Sequence, residues 1–284
     1  MPLTRRRFNS RLSRWHVANR RTLLIRTATG PWEVLVAEVM SQQTGIERVG
    51  PVWRRFVDLW PSPSALAVAG TQELLAAWAG LGYNRRALAL RESARTIVAE
   101  HGGRVPATVE GLEALSGIGP YTARAVAAAA FGVPVAPLDV NVRRVVSRVL
   151  GVSASAPGLQ GAADSLVSRD EPGRWFDAVM DLASSTCVPL APRCDGCPLA
   201  EVCASRGVVA AAVERKASGG PFSSTKRWLR GRLVAAVIQS PADAWLPLPG
   251  RLGVHDRDAI RSAARGLERE GFVELQDDEI RVRR

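Results

Sequence analysis

From Pro31 to about Leu150 the apolar positions follow helical spacing. Trp32, Leu35, Val36, Val39 and Met40 form one stripe; Val142, Val145, Val146, Val149 and Leu150 form another. Short breaks separate the stripes, at Pro51, Pro61-Ser62-Pro63, Gly80 and Gly82, Gly102-Gly103 and Pro106. Strand signals are scarce, so the pattern predicts an all-α body. Residues 153–163 are small and rich in Gly, Ala and Ser, which predicts a surface loop. Helical pattern resumes near Ala163 and runs through Trp175–Leu182. Residues 1–29 form a basic, apolar-poor lead-in, and residues 207–223, with Ser218-Gly219-Gly220-Pro221, predict a linker. Beyond it, Leu229, Leu233, Val234 and Val237 mark a helix, and Ile260, Ala264 and Leu267 a second. Phe272-Val273-Glu274-Leu275 and Glu279-Ile280-Arg281-Val282, joined by Gln276-Asp277-Asp278, predict a hairpin.

Composition narrows the class. Of 284 residues, 46% are hydrophobic and 23% charged, enough to bury a core and stay in solution. Lys and Arg exceed Asp and Glu by 38 to 27, a formal net charge of +11, which points to a polyanionic partner. No apolar run is long enough for a membrane span. Arg5-Arg6-Arg7-Phe8 is followed by further arginines rather than an apolar stretch, which argues against export. A cytoplasmic, nucleoid-associated protein is expected, with thiols kept reduced.

Four short segments carry candidate chemistry. Cys187, Cys194, Cys197 and Cys203 are the chain's four cysteines, with six, two and five residues between them. Four thiolates at one point satisfy either tetrahedral zinc or a cubane iron–sulfur cluster, and zinc ribbons usually bring two close pairs where this chain has one. In Leu115-Ser116-Gly117-Ile118-Gly119-Pro120-Tyr121, Pro120 suits a first helical turn and Gly132 the end of that helix. Bare amides between two glycines at a helix start can grip phosphate. Asp139, just before the Val142 stripe, is placed as a helix cap, with Asn141, Arg143 and Arg144 beside it. Glu38 projects roughly 130° from its helix's apolar stripe and can face a cleft. A surface carboxylate is the plain alternative for Glu38, and a solvated face the plain alternative for the arginines.

Taken together, these segments resemble the adenine glycosylase (MutY) family of the helix-hairpin-helix, endonuclease III superfamily. Glu38-Val39-Met40-Ser41-Gln42-Gln43-Thr44, Gly80-Leu81-Gly82-Tyr83 with Arg85-Arg86-Ala87, the Gly117/Gly119 hairpin, Asp139-Val140-Asn141 and the cysteine loop occur in the family's order over about residues 20–206. The resemblance implies a helix-hairpin-helix glycosylase fold with a 4Fe–4S cluster on the four cysteines. It implies Glu38 as general acid/base, Asp139 with Asn141 beside the sugar, and Tyr121 where lyase members place a Schiff-base Lys. Leu23 and Arg26 would meet the extruded base, Gln43 and Tyr83 would wedge into the stack, and Gly117, Gly119 and Arg143 would hold the backbone. Residues 30–136 are then a six-helix domain with the hairpin, 1–29 with 137–206 a helical iron–sulfur domain, and 224–284 a small α+β module resembling a winged helix.

The sequence departs from the family at four places. The family's Leu-Pro-Trp-Arg reads Leu23-Leu24-Ile25-Arg26, the Leu before Gln-Gln is Ser41, and the second Tyr of Tyr-Tyr is Asn84. The 8-oxoguanine-reading Nudix-like C-terminal domain is replaced by the winged-helix-like residues. The expected activity is monofunctional excision of adenine mispaired with 8-oxoguanine or guanine, by a monomer acting on double-stranded DNA. A thymine or uracil mismatch glycosylase of the same superfamily and a non-catalytic DNA-binding regulator are the competing readings.

Overall fold

A computed structural model describes residues 3–208, 220–241 and 243–283. Most of the linker expected over 207–223 lies outside these described residues. Eleven α-helices make up the body: α1 Arg5–Asn19, α2 Pro31–Ser41, α3 Ile46–Leu59, α4 Pro63–Ala67, α5 Thr71–Ala77, α6 Arg85–His101, α7 Val109–Glu113, α8 Pro120–Phe131, α9 Val140–Leu150, α10 Leu159–Leu166 and α11 Pro172–Ser185. Caps set many of their starts. The Thr4, Ser62 and Thr108 side chains accept from backbone amides three residues on, and Asp139 does the same for α9. Pro120 opens α8, and Gly132, at φ +67°, closes it in the left-handed conformation that glycine adopts freely.

Two departures from the sequence pattern have simple causes. The basic lead-in is a helix, because Phe8, Leu12 and His16 fall at i, i+4 and i+8 and all three are buried. Helix α10 begins at Leu159, inside the expected loop, because Leu159, Ala163 and Leu166 share one buried face.

The helices bury two cores. One gathers Trp32, Leu35, Trp53, Phe56, Trp78 and Leu90 from α2 to α6, with Leu112, Leu115 and Ile118 around the hairpin. The other gathers Phe8 and Leu12 of α1 with Val142, Val146, Trp175 and Leu182 of α9 and α11. Helix α8 serves both. Its Ala123, Val126 and Ala127 belong to the first core and Ala125 to the second. It packs against both α2 and α11, and a Cβ on Gly173 of α11 would lie 2.9 Å from the Ala129 backbone. Small side chains permit that approach.

The C-terminal residues form α12 Lys226–Gln239, β1 Leu246–Pro247, α13 Arg257–Arg269, β2 Val273–Gln276 and β3 Glu279–Val282. The expected hairpin gains a third strand: the order is β1-β3-β2, all antiparallel, with Ile280 opposite both Leu246 and Leu275. These residues thus form an α+β module of two helices and a three-stranded sheet. Leu229, Leu233 and Val237 of α12 and Ile260 and Leu267 of α13 are continuous with the first core. Gln72 of α5 donates to the carbonyls of Ile238 and Ser240 at 3.1 and 2.8 Å, fastening the end of α12 to the body. Among the described residues no helix is long and apolar enough to cross a membrane.

Candidate active site

Glu38 on α2, Tyr121 in the first turn of α8, Asp139 at the start of α9 and Asp177 on α11 converge where the two cores meet. Burial pushes the Glu38 carboxyl up to about 7, with the charges of Asp177 and Asp139 adding to the rise. Burial likewise raises the Tyr121 hydroxyl well above its ordinary range, with Glu38 and Asp139 reinforcing it, so it stays a neutral donor. The Tyr121 ring meets Phe176 edge-on, centroids 6.3 Å apart, which fixes its plane. Asp139 is held rigidly. Its Oδ1 accepts from the backbone amides of Asn141 and Val142 at 2.8 and 2.7 Å, and its Oδ2 accepts from Asn141 Nδ2 at 2.8 Å.

Asp177 did not stand out in the sequence. Burial raises its pKa against the pull of Arg26. Arg26 Nε lies 2.9 Å from Asp177 Oδ1, and its two terminal nitrogens donate to Asp181 at 2.9 and 3.0 Å. Arg21 Nε adds a bond at 2.6 Å, and His16 Nε2 lies 3.0 Å from the same carboxylate. Burial works against ionised Asp181, yet Arg26 and Arg21 hold its pKa down at about 2. This network anchors Arg26 between Asp177 and Asp181. Leu23, half-buried, precedes the short turn Leu24–Thr27 that carries Arg26.

The Gln-Gln-Thr segment after α2 divides its work. Gln42 Nε2 donates to the Gly117 carbonyl and to Thr122 Oγ1, at 3.3 and 3.0 Å, docking α2 on the hairpin. Gln43 takes φ +53°, and Thr44 Oγ1 donates to the Leu81 carbonyl at 3.2 Å. Tyr83 also lies in the left-handed region, at φ +47°. One guanidinium joins the two turns. Arg86 Nη1 donates to the carbonyls of Val39, Met40 and Gln42 at 2.9, 2.8 and 2.6 Å, and Nη2 to Thr44 Oγ1 and the Gly82 carbonyl at 2.9 and 3.0 Å. Burial lowers its pKa to about 10. Gly117 sits at φ +74°, and a Cβ there would come within 2.8 Å of Ala89. Gly119 caps α8.

Arg143 donates to the Ala154 carbonyl at 2.8 Å. Arg144, beside Asp139 in the sequence, turns inward. It donates to the carbonyls of Cys187 and Ala183 at 2.8 and 2.9 Å and to Asn141 Oδ1 at 3.1 Å. A chain of polar contacts therefore runs from the cysteine loop to Asp139. The four cysteines line one cavity at the end of α9, each half-buried. Burial pushes the Cys197 thiol up to about 11, and the other three thiols add to the rise. Arg148 Nη1 reaches Cys187 Sγ at 3.5 Å. Among the described residues no three His, Cys, Asp or Glu side chains are gathered tightly around a single point. A soft, all-thiolate donor set on a common cavity fits an iron–sulfur cluster in chemistry.

A carboxyl poised near neutrality, a fixed carboxylate and a glycine hairpin on a helical body define a base-excision glycosylase. Residues 36–162 match the HhH-GPD superfamily base excision DNA repair protein. An adenine DNA glycosylase of Mycolicibacterium smegmatis is 40% identical over 220 residues, 76% of this chain and 74% of that protein. A thymine-DNA glycosylase of Aeropyrum pernix is 35% identical over 203 residues, 68% of this chain and 91% of that protein. The solved structure of a thermostable thymine-DNA glycosylase superposes with a TM-score of 0.66 at 28% identity, covering 71% of this chain and 96% of that one. The chain belongs to the adenine DNA glycosylase family of the HhH-GPD superfamily and is a DNA N-glycosylase.

Proposed function

We propose that this protein excises adenine mispaired with 8-oxoguanine or guanine in double-stranded DNA, by hydrolysis and without strand cleavage. The Glu38 carboxyl, raised to about 7, carries the reading, because a purine leaves readily only when a ring nitrogen is protonated as its bond breaks. The target nucleotide is flipped out of the stack, and Gln43 and Tyr83 fill the gap. Leu23 and the anchored Arg26 flank the extruded base. Glu38 gives its proton to the base, and the C1′–N bond breaks with its electrons going to the base. Asp139 stabilises the sugar cation, as in the carboxylate pair of a glycosidase. Water adds at C1′, its proton returns to a carboxylate, and an abasic site remains. Tyr121, a neutral donor, orients the two acids. It carries no amine, so no imine forms there and breaks appear only after alkali. Gly117, Gly119 and Arg143 hold the backbone.

Cys187, Cys194, Cys197 and Cys203 hold a 4Fe–4S cluster on this reading. The cluster supplies a covalent cross-link of the loop, while the proton transfers belong to the carboxylates. Residues 30–136 form the hairpin-bearing domain, 1–29 with 137–206 the cluster-bearing one, and 224–284 an appended module.

The test is single-turnover cleavage of duplexes carrying adenine, thymine or uracil opposite 8-oxoguanine, guanine or cytosine. Cleavage of adenine opposite 8-oxoguanine, and more slowly opposite guanine, is expected. Cleavage of thymine or uracil alone would make this a pyrimidine mismatch enzyme. No cleavage of any duplex would favour a DNA-binding regulator.

A further inference from the structure

A groove of about 1060 Å³, lined by Gln43 and Tyr83, runs between the body and the C-terminal module. Gln43, Tyr83 and Gly117 line one wall, and Phe222 and Arg227 the other; Glu38, Asp139 and Tyr121 do not line it. The Arg227 guanidinium lies 4.2 Å over the Tyr83 ring and its Nη1 donates to the Tyr83 hydroxyl at 3.1 Å. The same guanidinium stands 5.9 Å from the Phe222 ring. Tyr83 and Phe222 are 40% and 59% exposed, so this aromatic–cation–aromatic cluster faces solvent. Arg227 pairs with no carboxylate among the described residues, and neither do the adjacent, exposed Lys226 and Arg232. Thr225 caps α12 and thereby fixes where Arg227 leaves the helix.

Free cations alone would suit any phosphate. Two exposed rings beside a planar guanidinium suit a nucleobase, which stacks on aromatic and guanidinium faces. The excised base leaves toward Glu38, so the base that remains on the groove side of the wedge is its former partner. We propose that Arg227, with the exposed rings of Tyr83 and Phe222, is the seat of the purine opposite the excised base. The inference rests on the excision reading above for the direction in which the base departs.

The experiment measures equilibrium binding to uncleavable duplexes with a tetrahydrofuran abasic analogue in one strand. Opposite it stands guanine, 8-oxoguanine or a base-free spacer. Arg227→Ala and Arg227→Met are expected to bind the two purine duplexes about tenfold more weakly, the order of one lost base stack, and the spacer duplex less than about threefold more weakly. Arg227→Lys is expected to fail with them, because lysine keeps the charge and loses the plane. Phe222→Ala is expected to change the same two duplexes in the same direction. Equal loss on all three duplexes, or rescue by Arg227→Lys, would identify a phosphate contact and overturn the seat. This binding needs no excision. Absence of adenine cleavage by the wild type would therefore sink the activity reading alone, and a wild type blind to the spacer would sink the seat alone.

Discussion

Glu38 is the residue on which pH acts most directly. Its raised pKa means that the proton donor is lost as pH climbs through about 7. Single-turnover excision is expected to fall above that point, and Glu38→Gln to lower it at least ~100-fold at every pH. Stability moves with the same group. A carboxyl with a higher pKa folded than unfolded holds its proton better in the native state, so stability drops between the unfolded value, about 4.3, and about 7. Glu38→Gln is therefore expected to stabilise the fold by on the order of 1–2 kcal/mol at pH 8 and by nothing near pH 4, read from urea melts at the two pH values. An unchanged melt at pH 8 would mean that the carboxyl is better solvated than its surroundings suggest. Arg86 makes a second residue-level case. Replacing it by Met leaves the carbonyls of Val39, Met40 and Gln42 without that donor, at a cost of at least ~2 kcal/mol in denaturant. Lys, a single point charge, is not expected to restore it. Neither Arg86 nor Asp177 announces its role locally. Most of their partners lie tens of residues or more away, and only the folded chain brings them together.

Elements were legible where a local signal marks both ends. Helix α8 is the clearest case, opened by Pro120 and closed by Gly132, and the hairpin and Asp139 cap beside it follow from the same local chemistry. Helix α1 was hidden because three buried residues stand among many arginines, and α10 because its small residues read equally well as a loop. Strand β1 has two residues, too short for any alternation to show. The cysteine loop was visible from spacing, but its tie to Asp139 through Arg144 and Asn141 was not. That tie has a measurable result. The purified protein is expected to be brown, absorbing near ~400 nm. Cys194→Ser is expected to lose iron and excision together, because the loop carbonyl that orients Arg144 moves when the loop loosens. Colourless protein with one tightly held zinc would remove the cluster, and iron loss with full excision would show that the polar chain transmits nothing.

At the scale of the whole molecule, a net charge of +11 and a cationic C-terminal wall make binding an electrostatic matter. Affinity is expected to fall steeply and log-linearly with salt. Removing residues 224–284 takes away Lys226, Arg227 and Arg232, so the salt slope should flatten while excision persists at saturating enzyme. A truncated protein that folds, by circular dichroism, yet cannot cleave at saturation would place the tail in the active site. The two cores set a further condition. Glu38 stands on the first and Asp139 on the second, with α8 lending Ala123 and Ala127 to one and Ala125 to the other. Between the core that carries α2 and the core that carries α9 lies a helix whose packing faces are largely small side chains. Enlarging one of them pushes one core against the other, because close-packed interiors pass strain on rather than absorb it. The tolerance of the chemistry is set by methyl groups buried in the body, and a family carrying such changes would show enzymes silenced by residues remote from the lesion.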